Sequence, residues 1–155
     1  MKWRKLDCYY VDGPASLSLA AMRRHGMPAE HPVAQACLEV LLETDGEALS
    51  NYEAGCILLG IRASTLEPPA LGGSITEGIR AADRRKPADR LRKNSSRLQH
   101  SIIAQREVNG WREVSTHPDV TLLVTAFSVL GLAAAEHVGQ NCSLATWKDV
   151  RQAMS

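Results

Sequence analysis

Aromatic residues are scarce in this 155-residue chain: they make up 5% of it, with a single phenylalanine, Phe127. The 45% hydrophobic content must then be packed largely from Leu, Ala, Val and Ile, which suits helix-on-helix cores. Net charge is nearly absent too, at +1, which excludes a uniformly basic nucleic-acid coat and an acidic mimic of DNA. The four cysteines, Cys8, Cys37, Cys56 and Cys142, form no CxxC pair, so neither a zinc ribbon nor a thioredoxin-type motif is indicated. Cys37 in "AQACLEV" and Cys56 in "AGCILLG" have apolar neighbours and are expected to be reduced, buried and inert.

Local catalytic signatures are missing as well. The five histidines, His25, His31, His100, His117 and His137, make no HxxxH or HExxH pair, and no cysteine adjoins one. No GxSxG occurs. "GGSITEG", from Gly72, lacks the Gly-Lys-Ser/Thr of a phosphate loop and reads as a capped helix start. No metal site or cofactor is expected, and the protein is expected not to be an enzyme. "MKWRKLDCYY" has positive charge without an apolar run behind it, so no signal peptide is read there and a cytoplasmic location is expected.

The longest charge-free run is "VTLLVTAFSVLGLAAA", Val120 to Ala135. As a helix it would rise about 24 Å, short of the ~30 Å hydrocarbon core. A buried central helix is expected instead, with no membrane insertion. Leu122, Leu123, Ala126, Phe127 and Leu130 should form its buried centre, while Gly131 and Ala133 to Ala135 let neighbours approach.

The punctuation along the chain is helical. Pro14 opens a first helix that Gly26 closes, and Pro32 opens a second that stops at Asp45-Gly46. Ser50 and Glu53 make a capping box before "AGCILLGIRAS", and Ser74 with Glu77 makes another after the helix-breaking "STLEPPALGG". Pro87 kinks or restarts that helix, which should then run to Gly110. Pro118 should begin the apolar helix and Gly139 end it, with a short final helix from about Ser143 carrying Trp147. Only "WRKLDCYYV" near the start reads as a strand. The expected fold is all-α: one domain over 1–155, a compact bundle of about six or seven helices, with one short N-terminal strand at most.

"EAGCILLGIRASTL", Glu53 to Leu66, resembles the first helix and turn of a helix-turn-helix DNA reader, with Leu58-Leu59-Gly60-Ile61 where that motif turns. The resemblance implies a recognition helix beyond Ser64-Thr65-Leu66, but Pro68 and Pro69 fall in its first turn. The segment is therefore read as a buried helix ending in a loop.

What the chain does have is a lopsided charge. Between Arg80 and Arg106 nine bases face two acids, Asp83 and Asp89, leaving the remainder acidic. Five acids, Glu39, Glu43, Asp45, Glu47 and Glu53, follow one another with no base between them. On a helix from Ala88, the residues Leu91, Ser95, Leu98 and Ile102 share one face, with Arg90, Lys93 and Arg97 opposite and His100 nearby. Arg84, Arg85 and Lys86 could extend that stripe ahead of the proline. Arginine outnumbers lysine in the segment, which suits forked contacts to phosphate or carboxylate.

Three partners fit such a stripe: solvent together with the chain's own acids, nucleic-acid phosphate, or an acidic protein surface. No aromatic lies from Ile79 to Asn109, so base stacking on this helix is not available. The expected function is a non-enzymatic interaction protein, an adaptor, inhibitor or accessory regulator. It would bind an acidic partner through Arg84, Arg85, Lys86, Arg90, Lys93 and Arg97. The alternative is a nucleic-acid-binding module using the same residues.

Overall fold

The structure, a computed structural model, describes residues 12–44, 50–65, 89–112 and 119–153. Among these residues there are six helices: α1 Asp12–Arg24, α2 Pro32–Glu43, α3 Asn51–Ser64, α4 Asp89–Ala104, α5 Leu122–His137 and α6 Leu144–Ala153. A two-stranded antiparallel hairpin, β1 Arg106–Glu107 and β2 Gly110–Trp111, sits between α4 and α5. The fold is all-α with one very small sheet. The N-terminal strand expected at "WRKLDCYYV", the Ser74 capping box and "GGSITEG" lie outside the described residues.

Most of the sequence punctuation is realised atom by atom. Ser50 caps α3, its side chain accepting from the Glu53 amide at 3.1 Å; Ser143 accepts from the Thr146 amide at 3.0 Å. Helices α1 and α5 end in the same way. Gly26 and Gly139 take positive φ, 88° and 91°, which glycine adopts without a Cβ penalty. The Gly26 and Met27 amides then reach back to the Arg23 and Met22 carbonyls, and those of Gly139 and Gln140 to Glu136 and Ala135.

The core is organised around α3. Its Cys56, Ile57, Leu58 and Ile61 are fully buried, with α1 packed on one side and α5 on the other. Both crossings are backbone-close. A Cβ on Gly55 would stand 2.2 Å from the Phe127 carbonyl oxygen, and one on Gly131 would stand 2.6 Å from the Gly55 Cα. At the α1 crossing, a Cβ on Gly60 would lie 3.0 Å from the Ser16 Cα.

That closeness corrects the expectation for the apolar helix. Leu122, Leu123 and Leu130 are 82%, 60% and 50% exposed, while Ala126 and Phe127 are half-buried. The buried side of α5 is Val124, Thr125, Ser128, Gly131, Leu132, Ala134 and Ala135. Where the two backbones touch, at Gly55 and Gly131, there is no room for a large side chain. Small residues, two of them with hydroxyls, therefore take most of the inward face, and Leu132 packs beside the crossing. Of the small residues expected to let neighbours approach, Gly131, Ala134 and Ala135 are buried and Ala133 is half-buried.

Two boundaries also differ. The helix expected to reach Gly110 stops at Ala104, and the chain turns through Val108-Asn109 into β2. The turn buries Trp111 completely. Its indole N–H donates to the Ile102 carbonyl at 2.7 Å, satisfying one of the carbonyls left open at the end of α4. Its backbone amide donates to Thr125 Oγ1 at 3.1 Å, which joins the hairpin to α5. Helix α5 starts at Leu122, later than Pro118, because Val120 is held in an antiparallel bridge with Arg112 and Thr121 supplies the cap. Asn51, buried at the start of α3, donates to the Arg112 carbonyl at 2.7 Å.

Candidate functional site: the basic face of α4

Helix α4 sorts its residues as the helical wheel requires. Leu91, Ser95, Leu98, Gln99 and Ile102 are buried, and Arg90, Lys93 and Arg97 are exposed on the other side. These three cations form no ion pair among the described residues. Their spacing of i, i+3 and i+7 sets the charged ends in a row about 10 Å long. Neighbouring cations are engaged: Arg92 pairs with Asp89 at 3.0 Å across one helical turn, and Arg106 reaches Asp149 of α6 at 2.7 Å. Arg84, Arg85 and Lys86, expected to lengthen the row, lie outside the described residues.

Helix α4 is held in place from its buried side. Leu98 and Ile102 are fully buried, and Gln99 Nε2 donates to the Gln140 carbonyl at 3.2 Å and to Cys142 Sγ at 3.1 Å. Gln140 in turn donates to the Arg92 carbonyl at 3.4 Å. On a helix anchored in this way the backbone is already ordered, and only the Arg and Lys side chains remain to be fixed by a partner.

Of the acidic stretch, Glu53 is buried while Glu39 and Glu43 are exposed. Glu53 is 5% exposed and sits at the junction of α1 and α3. Burial and the nearby Asp12 carboxylate push its pKa up, against the lowering effect of the Gly13 amide. Glu39 and Glu43 are exposed on α2, whose Leu41 carbonyl is met by Asn94 of α4 at 3.5 Å. Asp45 and Glu47 are outside the described residues.

Other candidate chemistry is spoken for structurally. Cys56 is buried and its thiol is pushed up to about 11 by burial, so it is not a thiolate near neutral pH. Cys37 is only half-buried, a correction to the expected full burial, and burial raises its pKa as well. His31 caps α2, its Nδ1 accepting from the Val33 amide at 3.2 Å, and His100 Nδ1 contacts the Ser96 carbonyl at 2.6 Å. Among the described residues no three His, Cys, Asp or Glu side chains could together hold a metal ion. None of the helices there is long and apolar enough to cross a membrane.

The helix-turn-helix resemblance ends here as well. Leu58 to Ile61, where that motif would turn, lie inside the unbroken helix α3, and Leu58, Gly60 and Ile61 are buried. Compared with known proteins, the chain matches no family model, no curated protein and no solved structure.

Sequence reasoning missed Trp111, which closes the end of α4 on the Ile102 carbonyl, and Asn51, which ties the hairpin to the start of α3. The available signal was "VNGW", a turn pair followed by a large aromatic in a chain with few of them.

Proposed function

We propose that this protein is an interaction module, an adaptor, inhibitor or accessory regulator, that docks on an acidic protein surface through Arg90, Lys93 and Arg97 of α4, continued by Arg84, Arg85 and Lys86. The observation that supports the reading is the row of three exposed cations without an ion-pair partner among the described residues. Of the chain's own acids, Glu53 is withdrawn from this row by burial at the α1–α3 junction. Exposed charges contribute only about 0.2–1 kcal/mol each to stability, whereas a concentrated row steers and orients an oppositely charged partner.

Reversing Arg90, Lys93 and Arg97 to Glu together tests this. The immobilised protein is exposed to nuclease-treated extract of its source cells. The wild type should retain a stoichiometric protein band, and the triple variant should lose it while keeping its helical circular dichroism. Full retention by the folded triple variant overturns the proposal. Recovery that disappears on nuclease treatment and falls steeply with salt replaces the acidic protein with a nucleic acid.

A further inference from the structure

Away from the basic face, the turn joining α1 to α2 assembles an unusual set of donors. An open groove of about 480 Å³ there is lined by Met22, His25, Met27, Pro28 and His31, together with two small residues and no carboxylate. Met22 and Met27 are held at one place by the cap of α1: the Met27 amide donates to the Met22 carbonyl at 3.0 Å, an arrangement that commonly sets these two side chains against each other. His25 follows Met22 by three residues, and its amide still donates to the Ala21 carbonyl at 3.1 Å, so its ring belongs to the same helical face. Apolar contact alone would explain two methionines side by side. Met27 also rests against the hydrophobic core, and the exposed His25 on the same groove adds a nitrogen donor beside the two thioethers.

We propose that Met22, His25 and Met27 bind a soft monovalent cation, Cu(I), for which Ag(I) is the redox-inert probe. Two thioethers and an imidazole are the donors such ions select, and hard cations such as Mg²⁺ and Ca²⁺ do not take them. The groove supplies no carboxylate, and the buried Arg23 guanidinium, a positive charge that opposes a cation, lies close by on the Met27 carbonyl at 2.5 Å. Coordination rather than net charge therefore holds the ion, and the Arg23 contact fixes the backbone of one ligand. His31 stays on the rim. Its Nδ1 accepts from the Val33 amide, which leaves the proton on Nε2 and no free lone pair for a metal. The open groove keeps the ion exchangeable.

The test uses the full-length protein with Cys8, Cys37 and Cys142 changed to Ser, which removes competing thiols, labelled with ¹³C at its methionine methyl groups and titrated with silver nitrate. The Met22 and Met27 resonances should move together and saturate at one equivalent, while those of Met1 and Met154 stay. If all four move in parallel, or if Met22 and Met27 do not move, the proposal fails. A second measurement gives the affinity: in the same thiol-depleted variant, Cu(I) is titrated without oxygen against a chromogenic chelator. Met22→Leu and Met27→Leu, which keep the apolar contact, should each weaken binding by about tenfold or more, as should His25→Gln. His31→Gln should leave affinity within about twofold. Wild-type affinity in the Met22→Leu/Met27→Leu double variant overturns the site, as does an equal loss in His31→Gln.

Discussion

Helices α4 and α5 are each sixteen residues long, yet they choose their buried faces by opposite criteria. Helix α4 sorts by polarity: Leu91, Leu98 and Ile102 go in, and Arg90, Lys93 and Arg97 stay out. Helix α5 sorts mostly by size at its contact with α3: Ser128, Gly131, Ala134 and Ala135 go in, with Leu132 beside them, while Leu122 and Leu123 stay out. The neighbours explain the difference. Helix α4 meets its partners through side chains, so ordinary hydrophobic burial decides its orientation. Helix α5 meets α3 at the Gly55–Gly131 crossing, where backbone lies against backbone. At that distance the gain from close packing along the whole contact outweighs burial of three leucines.

The strongest way to break this comparison is at the crossing. In Gly131→Val, the new Cβ would lie 2.6 Å from the Gly55 Cα, a main-chain atom that cannot move aside. We expect a loss of more than about 3 kcal/mol, or no folded protein, in chemical denaturation. A wild-type midpoint would show that the two helices do not touch there. On α4 the sensitive position is a large one: Leu98→Ala removes a fully buried side chain and should cost about 2–5 kcal/mol. A loss below about 1 kcal/mol would mean that α4 is not seated by its apolar stripe.

A smaller effect should depend on pH. The folded pKa of Glu53 is raised above its ordinary 4.5 by burial and by Asp12. The folded state therefore holds that proton more tightly than the unfolded chain does. The resulting stabilisation is complete below the unfolded pKa and is lost as pH rises through the folded one. Glu53→Gln has no such proton to lose, so its melting temperature relative to wild type should climb as pH rises through this window. A constant difference would show that Glu53 does not titrate in a buried setting. Smallest of all, Leu123→Ala on the outer side of α5 should change stability by no more than about 0.5 kcal/mol. A loss of 2 kcal/mol or more would put that leucine in a core contact in solution and would overturn the sorting by size.

Much of this was legible in order along the chain. The caps at Ser50, Gly26, Gly139 and Ser143 were readable because capping is a local contract between a side chain or a glycine and amides a few residues away. The two faces of α4 were readable because its polarity pattern has helical period. The end of α4 was not, since it depends on an indole nine residues further on finding the Ile102 carbonyl. The fate of Cys37 and Glu53 was also hidden, because burial there is set by which helix arrives from elsewhere.

By itself, then, the sequence determined a helical protein, the start and stop of most helices, and a cationic row at i, i+3 and i+7, all of which follow from interactions within a few residues. Tertiary structure alone decided which face of α5 is inside and where α4 gives way to a hairpin. The physical reason is range. Caps and periodicity act within a turn or two, but in a helix apolar on nearly every side the choice of face belongs to whichever neighbour can come closest.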